Sequence, residues 1–372
     1  VPHIRLFETR DGPAVAEMFT RLLARKSQVG STSALAAYLG ELFCEQAGRD
    51  RPIRSLVHVG GDDRPDGFIG VLEQAMTLNG RRLRAAICTT WMVDDRRADP
   101  FAGARLLKAV LAGPQDLTFS ETSNELSTAM WRRAGGHVLP DHSLEYLRVI
   151  HPASFFTRMA ADRFGPLAAL APLCRLVDRA SGVGAGAAGL SWAGYRPRPG
   201  KADALVETEP DEAELATAMK ALVEHHPLHP QWSDEHLAHM LAHAARKAKY
   251  GARIHRILRT RNGELAGLFV CYGNRNGIGR VIQLMAKPGM ERPVLTRLLT
   301  TAHGLGLCAL RGRTQPALLD AMLDQKFAFL HAASTVFHSP DSELVDAARQ
   351  GRAFLNGFSG ESWARLIGDR FA

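Results

Sequence analysis

Apolar and polar positions fall into two long stretches with the same succession of periods, separated by a segment of different character. In the first stretch residues 4–7 read as a short strand. Asp11 at an N-cap position and Pro13 in a first turn then open a helix that runs to about residue 23. Leu35, Leu39, Leu42 and Phe43 make one stripe of a helix over 33–47. A strand at 55–59 leads through a turn at 60–67 to two longer strands, 68–78 and 83–93. These meet at Asn79-Gly80, the dipeptide best suited to a tight hairpin. A helix over 101–111, a strand at 116–120, a helix over 125–134 and a strand at 144–149 complete the order βααβββαβαβ. Residues 201–345 repeat it: a strand at 204–208, helices over 211–224 and 233–247, strands at 254–260 and 265–272 around Asn262-Gly263, and a strand at 280–286. A helix over 294–305, a strand at 307–311 and a helix over 316–323 follow. The pattern predicts an α/β (α+β) protein with two related domains, 1–150 and 201–345, each a mixed central sheet flanked by helices.

The intervening residues 151–200 read differently. Phe155, Phe156, Met159, Phe164, Leu167, Leu170, Cys174 and Val177 form an apolar stripe at helical spacing, with Arg158, Arg163, Arg175 and Arg179 among them and a break at Gly165-Pro166. Two readings stand: an interfacial helix pair at 151–180 that touches an anionic membrane or a lipid substrate, and a helical brace between the domains. The Gly/Ala/Pro-rich residues 182–200 predict a flexible linker. The tail, 346–372, is expected to dock on the body through Phe358 and Trp363.

Composition narrows the partners. A length of 372 residues with 46% apolar content suits two cores, and a net charge of +8 fits anionic ligands such as phosphates, CoA-type cofactors or lipid headgroups. The arginines are scattered rather than massed, so nucleic acid is not expected. Five widely spaced cysteines without a CxxC pair argue for a reducing compartment. No signal-peptide core opens the chain and no run reaches the ~18 to 20 apolar residues of a membrane span. The expectation is a cytoplasmic protein, or one peripheral to the inner face of the membrane. His225, His226, His229, His236, His239 and His243 form the densest polar cluster, and the last three share a helix face. No Cys and no ligand spacing accompany them, so no metal is expected. Residues 273–279, Gly-Asn-Arg-Asn-Gly-Ile-Gly, lie between strands and read as a hairpin turn.

Three segments of the first half carry a resemblance: Phe-Ile-Gly-Val-Leu-Glu (68–73), Ala-Ile-Cys-Thr-Thr-Trp-Met-Val-Asp-Asp-Arg-Arg-Ala-Asp-Pro-Phe-Ala-Gly-Ala (86–104) and Ser-Asn-Glu-Leu-Ser-Thr-Ala-Met-Trp-Arg-Arg-Ala-Gly-Gly (123–136). With the opening strand and helix from Ile4, they resemble the GNAT superfamily of acyl-CoA-dependent N-acyltransferases, and the whole chain resembles a tandem member. The resemblance implies acyl-CoA as co-substrate, an amine acceptor, and a thioester admitted where the two middle strands splay. Two departures are plain. The family's Arg-Gly-x-Gly-x-Gly/Ala is replaced by Arg97-Ala-Asp-Pro-Phe-Ala, and its closing-helix Tyr corresponds to Trp131. In the second half the matching loop, Met-Ala-Lys-Pro-Gly-Met (285–290), has one glycine and no such pattern, which makes that domain a degenerate, structural or substrate-shaping half.

The cofactor segment also reads from its own chemistry. A strand ending at Val93 turns into a helix starting near Phe101, whose free N–H groups suit a pyrophosphate. Arg96 and Arg97 add positive charge, and Ala102, Gly103 and Ala104 let phosphates approach. N-acylation needs a base for the ammonium and an acid for the leaving thiolate. Glu73 and Glu121 are the candidate bases, and Ser123 and Tyr146 the candidate hydroxyl donors. The acceptor is read as an amphiphilic or lipid amine, such as a sphingoid-type base giving a ceramide-like amide, or as an amino sugar of envelope or exopolysaccharide. The alternatives are a non-catalytic tandem scaffold that binds a ligand, and a tRNA-dependent aminoacyl transferase.

Overall fold

The computed structural model describes residues 2–23, 30–44, 53–60, 63–94, 99–164, 193–197 and 205–371. In chain order its elements are β1 (His3–Leu6), α1 (Gly12–Leu22), α2 (Thr32–Cys44), β2 (Leu56–Val59), β3 (Pro65–Leu78), β4 (Arg81–Val93), α3 (Ala102–Leu111), β5 (Leu117–Ser123), α4 (Glu125–Arg133), β6 (His137–Val138), the single turn α5 (Pro140–Ser143), β7 (Leu144–Val149) and α6 (Pro152–Phe164). There follow β8 (Leu205–Thr208), α7 (Glu212–Val223), β9 (Leu228–Pro230), α8 (Asp234–Ala245), β10 (Ala252–Thr260), β11 (Leu265–Gly273), β12 (Ile278–Ala286), α9 (Glu291–Gly304), β13 (Ala309–Arg313), α10 (Leu319–Asp324), β14 (Ala328–His331), β15 (Ser334–His338) and α11 (Ser342–Arg349).

Local chemistry sets most of these boundaries. Asn79 and Gly80 hold φ of 50° and 86° and close the β3–β4 hairpin, whose last pair is Leu78 with Arg81. Asn124 caps α4 by accepting the Ser127 N–H at 2.9 Å, and Asp211 caps α7 by accepting that of Glu214 at 2.8 Å. Asp11 departs from the expected cap. Its carboxylate takes both Arg5 guanidinium nitrogens, at 2.7 and 2.8 Å, and the Glu8 N–H, because a bidentate charged pair outweighs a neutral cap. Residues 274–277 form the expected turn between β11 and β12, with Gly277 N–H donating to Asn274 O.

The chain forms two compact units. Unit 1 comprises Val1–Pro140, His226–Ser233 and Ala333–Ala372, and its sheet runs β1-β2-β3-β4-β5-β15-β6, with β9 on the far end of β3. One face packs Ile69, Val71, Ala86 and Cys88 against Leu106, Leu107 and Val110 of α3 and Trp131 of α4. On the other face Phe7, Phe43 and Phe68 meet edge to face. Unit 2 comprises Asp141–His225 and Asp234–Ala332, with sheet order β14-β7-β13-β12-β11-β10-β8 and a core of Phe269, Leu284, Leu295, Leu298, Leu299 and Leu310. Each such side chain, fully buried, contributes roughly 1.5–3 kcal/mol.

The boundaries differ from the expectation in one instructive way. The strand at 144–149, read as closing the first half, is β7 and lies between β13 and β14 of the second sheet. The matching slot of the first sheet, between β5 and β6, holds β15. The tail likewise belongs to unit 1, where Phe358 and Trp363 are buried. Of the stripe at 151–180, residues 152–164 are α6, with Phe155 buried and Phe156 and Met159 exposed; residues 165–180 and most of the linker lie outside the described residues.

Candidate active site

The first sheet opens at one place. β4 and β5 run parallel and pair at Ala85–Leu117, Ala86–Thr118 and Ile87–Phe119, and the pairing stops there. Beyond this fork β5 keeps its other neighbour, β15, to Ser123, while β4 keeps β3 to Val93. Within the opened stretch β4 carries an extra residue: Phe68 faces Met92 and Gly70 faces Thr89, so Thr90 and Trp91 oppose Ile69 alone. Thr90 holds φ of 52°, a left-handed conformation that a β-branched residue resists.

Past Val93 the chain enters α3, whose N-terminus is not capped by the side chain of its N-cap residue, Phe101. A Cβ on Gly103 would stand 3.2 Å from Met130 and at ordinary contact distance, 3.6 Å, from Trp91 and Val93, so this glycine lets α3 lie close on α4. Ala102 is buried beside it and Ala104 is exposed. Val93, Ala102 and Gly103 come together, whereas Arg96 and Arg97 lie outside the described residues. Asp99 stands at this helix start. Its carboxylate takes the Phe101 N–H at 3.1 Å and the Arg105 guanidinium, and lies 3.3 Å from His58 Nε2. Burial raises the Asp99 carboxyl, but that N–H and Arg105 outweigh it and hold it below the ordinary value. His58 is buried, with Nδ1 2.5 Å from Asp66. His58 was not legible as part of this site from sequence, because a β2 residue reaches the start of α3 only through the sheet.

The four candidate acid and base residues separate. Glu73 pairs with Ala86, one position before the fork, and its carboxylate takes the Ile53 N–H at 3.3 Å and Arg84 at 3.0 Å. Glu121 lies two residues past Phe119 on the open part of β5. It accepts the Gly357 N–H at 3.0 Å, the Glu361 N–H at 2.7 Å, and the Ser362 N–H and Oγ, both at 3.1 Å. Ser123 ends β5 and is buried. Tyr146 is a β7 residue of the second sheet, buried in the core of unit 2 and packed edge to face on Phe327. Trp131 is core. Glu361 is the site residue that sequence reasoning missed: its carboxylate takes Thr122 Oγ1 at 2.7 Å and Ser120 Oγ at 3.5 Å.

The histidine cluster divides, with His226 and His229 in unit 1 and the others in unit 2, and His239 and His243 stack with ring centroids 4.2 Å apart. Among the described residues no group of three His, Cys, Asp or Glu side chains is arranged to hold a metal ion. No described helix is long and apolar enough to cross a membrane.

An antiparallel meander, a bulged strand forking from a parallel neighbour, and a helix next in the chain after the forked strand make a recognisable arrangement. No family model and no curated protein matches the chain. Solved structures do. A GCN5-related N-acetyltransferase from Kribbella flavida superposes with a TM-score of 0.55 at 12% identity, over 94% of this chain and 74% of that one. A protein of unknown function from Enterococcus faecalis, described as a probable N-acyltransferase, gives 0.55 at 9% identity over 94% and 74%. A GCN5-related N-acetyltransferase from Anabaena variabilis gives 0.54 at 9% over 92% and 74%. The fold is GNAT-like. The mixed sheet flanked by helices expected from the sequence is therefore the GNAT-like one.

Proposed function

We propose that the chain is an acyl-CoA-dependent N-acyltransferase that moves an acyl group from the CoA thioester to a primary amine, and that unit 1 takes the cofactor. The observation that carries this reading is the fork of β4 and β5 with its bulge at Thr90, followed along the chain by the N-terminus of α3. The fork suits a thioester arm, and the N–H groups at Gly103 and Ala104 suit the pyrophosphate, the Ala102 N–H donating to Asp99 O at 3.3 Å, with Arg96 and Arg97 completing its charge. Glu121, past the fork, is the base that takes the ammonium proton. The amine nitrogen then attacks the thioester carbonyl, the C–S bond breaks, and the proton that the nitrogen sheds passes through the Ser123 hydroxyl, at the end of β5, to the departing thiolate. Glu73 is held by Arg84 before the fork and serves the strand pair instead. The acceptor we propose is an amphiphilic amine rather than an amino sugar, from the apolar stripe that the sequence opens at Phe155, Phe156 and Met159.

A second reading, a ligand-binding scaffold without turnover, is favoured by two carboxylates that stand where anion and thioester would go, Asp99 and Glu361. Thermal unfolding with CoA, acetyl-CoA and palmitoyl-CoA separates the two. Acyltransfer predicts stabilisation by acyl-CoA, about 2.7 kcal/mol at a hundredfold excess over Kd, and an amide product by mass spectrometry with a long-chain amino alcohol. Stabilisation without any amide would favour the scaffold, and no stabilisation by any of the three would remove the cofactor from the reading.

A further inference from the structure

The tail holds the fork. From α11 it runs beside β9, where Phe354 N–H donates to Leu228 O and Leu228 N–H to Arg352 O, then turns through 356–362 onto Glu121. Three of its backbone N–H groups converge on that one carboxylate, and a Cβ on Gly360 would stand 2.3 Å from the Glu121 Cδ. Glu361, one residue on, turns its own carboxylate to Thr122 and Ser120 of β5. Ser120 is the first β5 residue past the fork, and Cys88 is its counterpart on β4. Burial pushes the Cys88 thiol up, and the Glu361 charge adds to that push, as expected of a carboxylate standing near both strands. The other edge of β5 is taken at this level by β15, which pairs Val336 with Ser120. After the turn, Arg365 N–H donates to the Tyr38 hydroxyl and Phe371 packs on the Tyr38 ring, so the segment is fastened at both ends.

We propose that residues 356–362 are a displaceable plug of the acyl-CoA fork, with Glu361 standing in the place of the thioester arm and Glu121 serving as its latch. This rests on the reading of unit 1 as the cofactor-binding half. Withdrawal of the plug opens the fork and, in the same movement, releases Glu121 from four donors so that it becomes available as a base. A plug that is out only about 10% of the time weakens apparent affinity about tenfold, and a variant that loosens it recovers up to that factor.

The test is hydrogen exchange of the full chain with acetyl-CoA, read at the amides of Gly357, Glu361 and Ser362, together with acetyl-CoA affinity of Glu361→Ala. Faster exchange at those amides on binding, and tighter binding by the variant, are expected; binding by the variant alone would support the plug equally. If wild type and variant bind alike and the three amides keep their protection, the plug is overturned while the acyltransferase reading stands. Binding by neither protein overturns both.

Discussion

Thr90 holds a conformation that its own side chain opposes, and it does so where β4 leaves β5. A β-branched residue at φ of 52° costs of order 1–3 kcal/mol, and the surrounding pairs Phe68–Met92 and Gly70–Thr89 impose it. Thr90→Gly is therefore expected to stabilise the protein by about 1 kcal/mol in chemical denaturation, although most changes to glycine in a strand destabilise. A loss of stability would mean that the Thr90 side chain, rather than the bulge, is what matters. The same scale shows the limits of reading residues singly. Glu121 was legible as a carboxylate just past a strand, but its partner Glu361 lies 240 residues further along, and no local pattern links them. Asp99 was legible as a negative charge in a cofactor segment; that Arg105 and His58 meet it was not.

At the scale of elements, hairpins were legible because their chemistry is local, whereas the one cap read from sequence, Asp11, pairs with Arg5 instead. Asn79-Gly80 and Asn124 act as turn and cap through atoms within a few residues. Ties between elements distant in the chain are another matter. Glu145 on β7 takes Arg280 of β12 at 3.1 Å and Arg311 of β13, so one carboxylate joins three strands of the second sheet. Burial raises its carboxyl, but the two guanidinium groups outweigh this and leave it below the ordinary value. A lowered folded-state value means that the stability Glu145 supplies is complete above the usual carboxylate range and is lost as pH falls through the lowered one. Glu145→Gln should accordingly cost about 2 kcal/mol near neutrality, less than a wholly buried pair because Arg311 is half exposed. Melting curves across the acid range should show the gap between variant and wild type closing as pH falls. A constant gap would mean that shape, not charge, is what Glu145 contributes.

At the scale of the whole molecule, each sheet holds one strand that the order of elements assigns to the other half: β15 lies between β5 and β6, and β7 between β13 and β14. Residues 1–150 expressed alone would carry β7 without its sheet and leave the β5 edge unpaired beyond the fork. That fragment is expected to show no cooperative thermal transition, whereas the full chain does; a sharp transition in the fragment would show that the first sheet closes without β15. The two central hairpins and the GNAT-like succession of the principal strands and helices were determined by sequence, since period and turn chemistry act over a few residues. Which strand fills each slot, and which carboxylate meets the tail, only the tertiary structure decided. Backbone N–H and C=O groups are the same on every strand, so a short strand pattern such as 144–149 states that it will pair and not with what. The choice falls to packing among residues that the chain keeps more than a hundred positions apart.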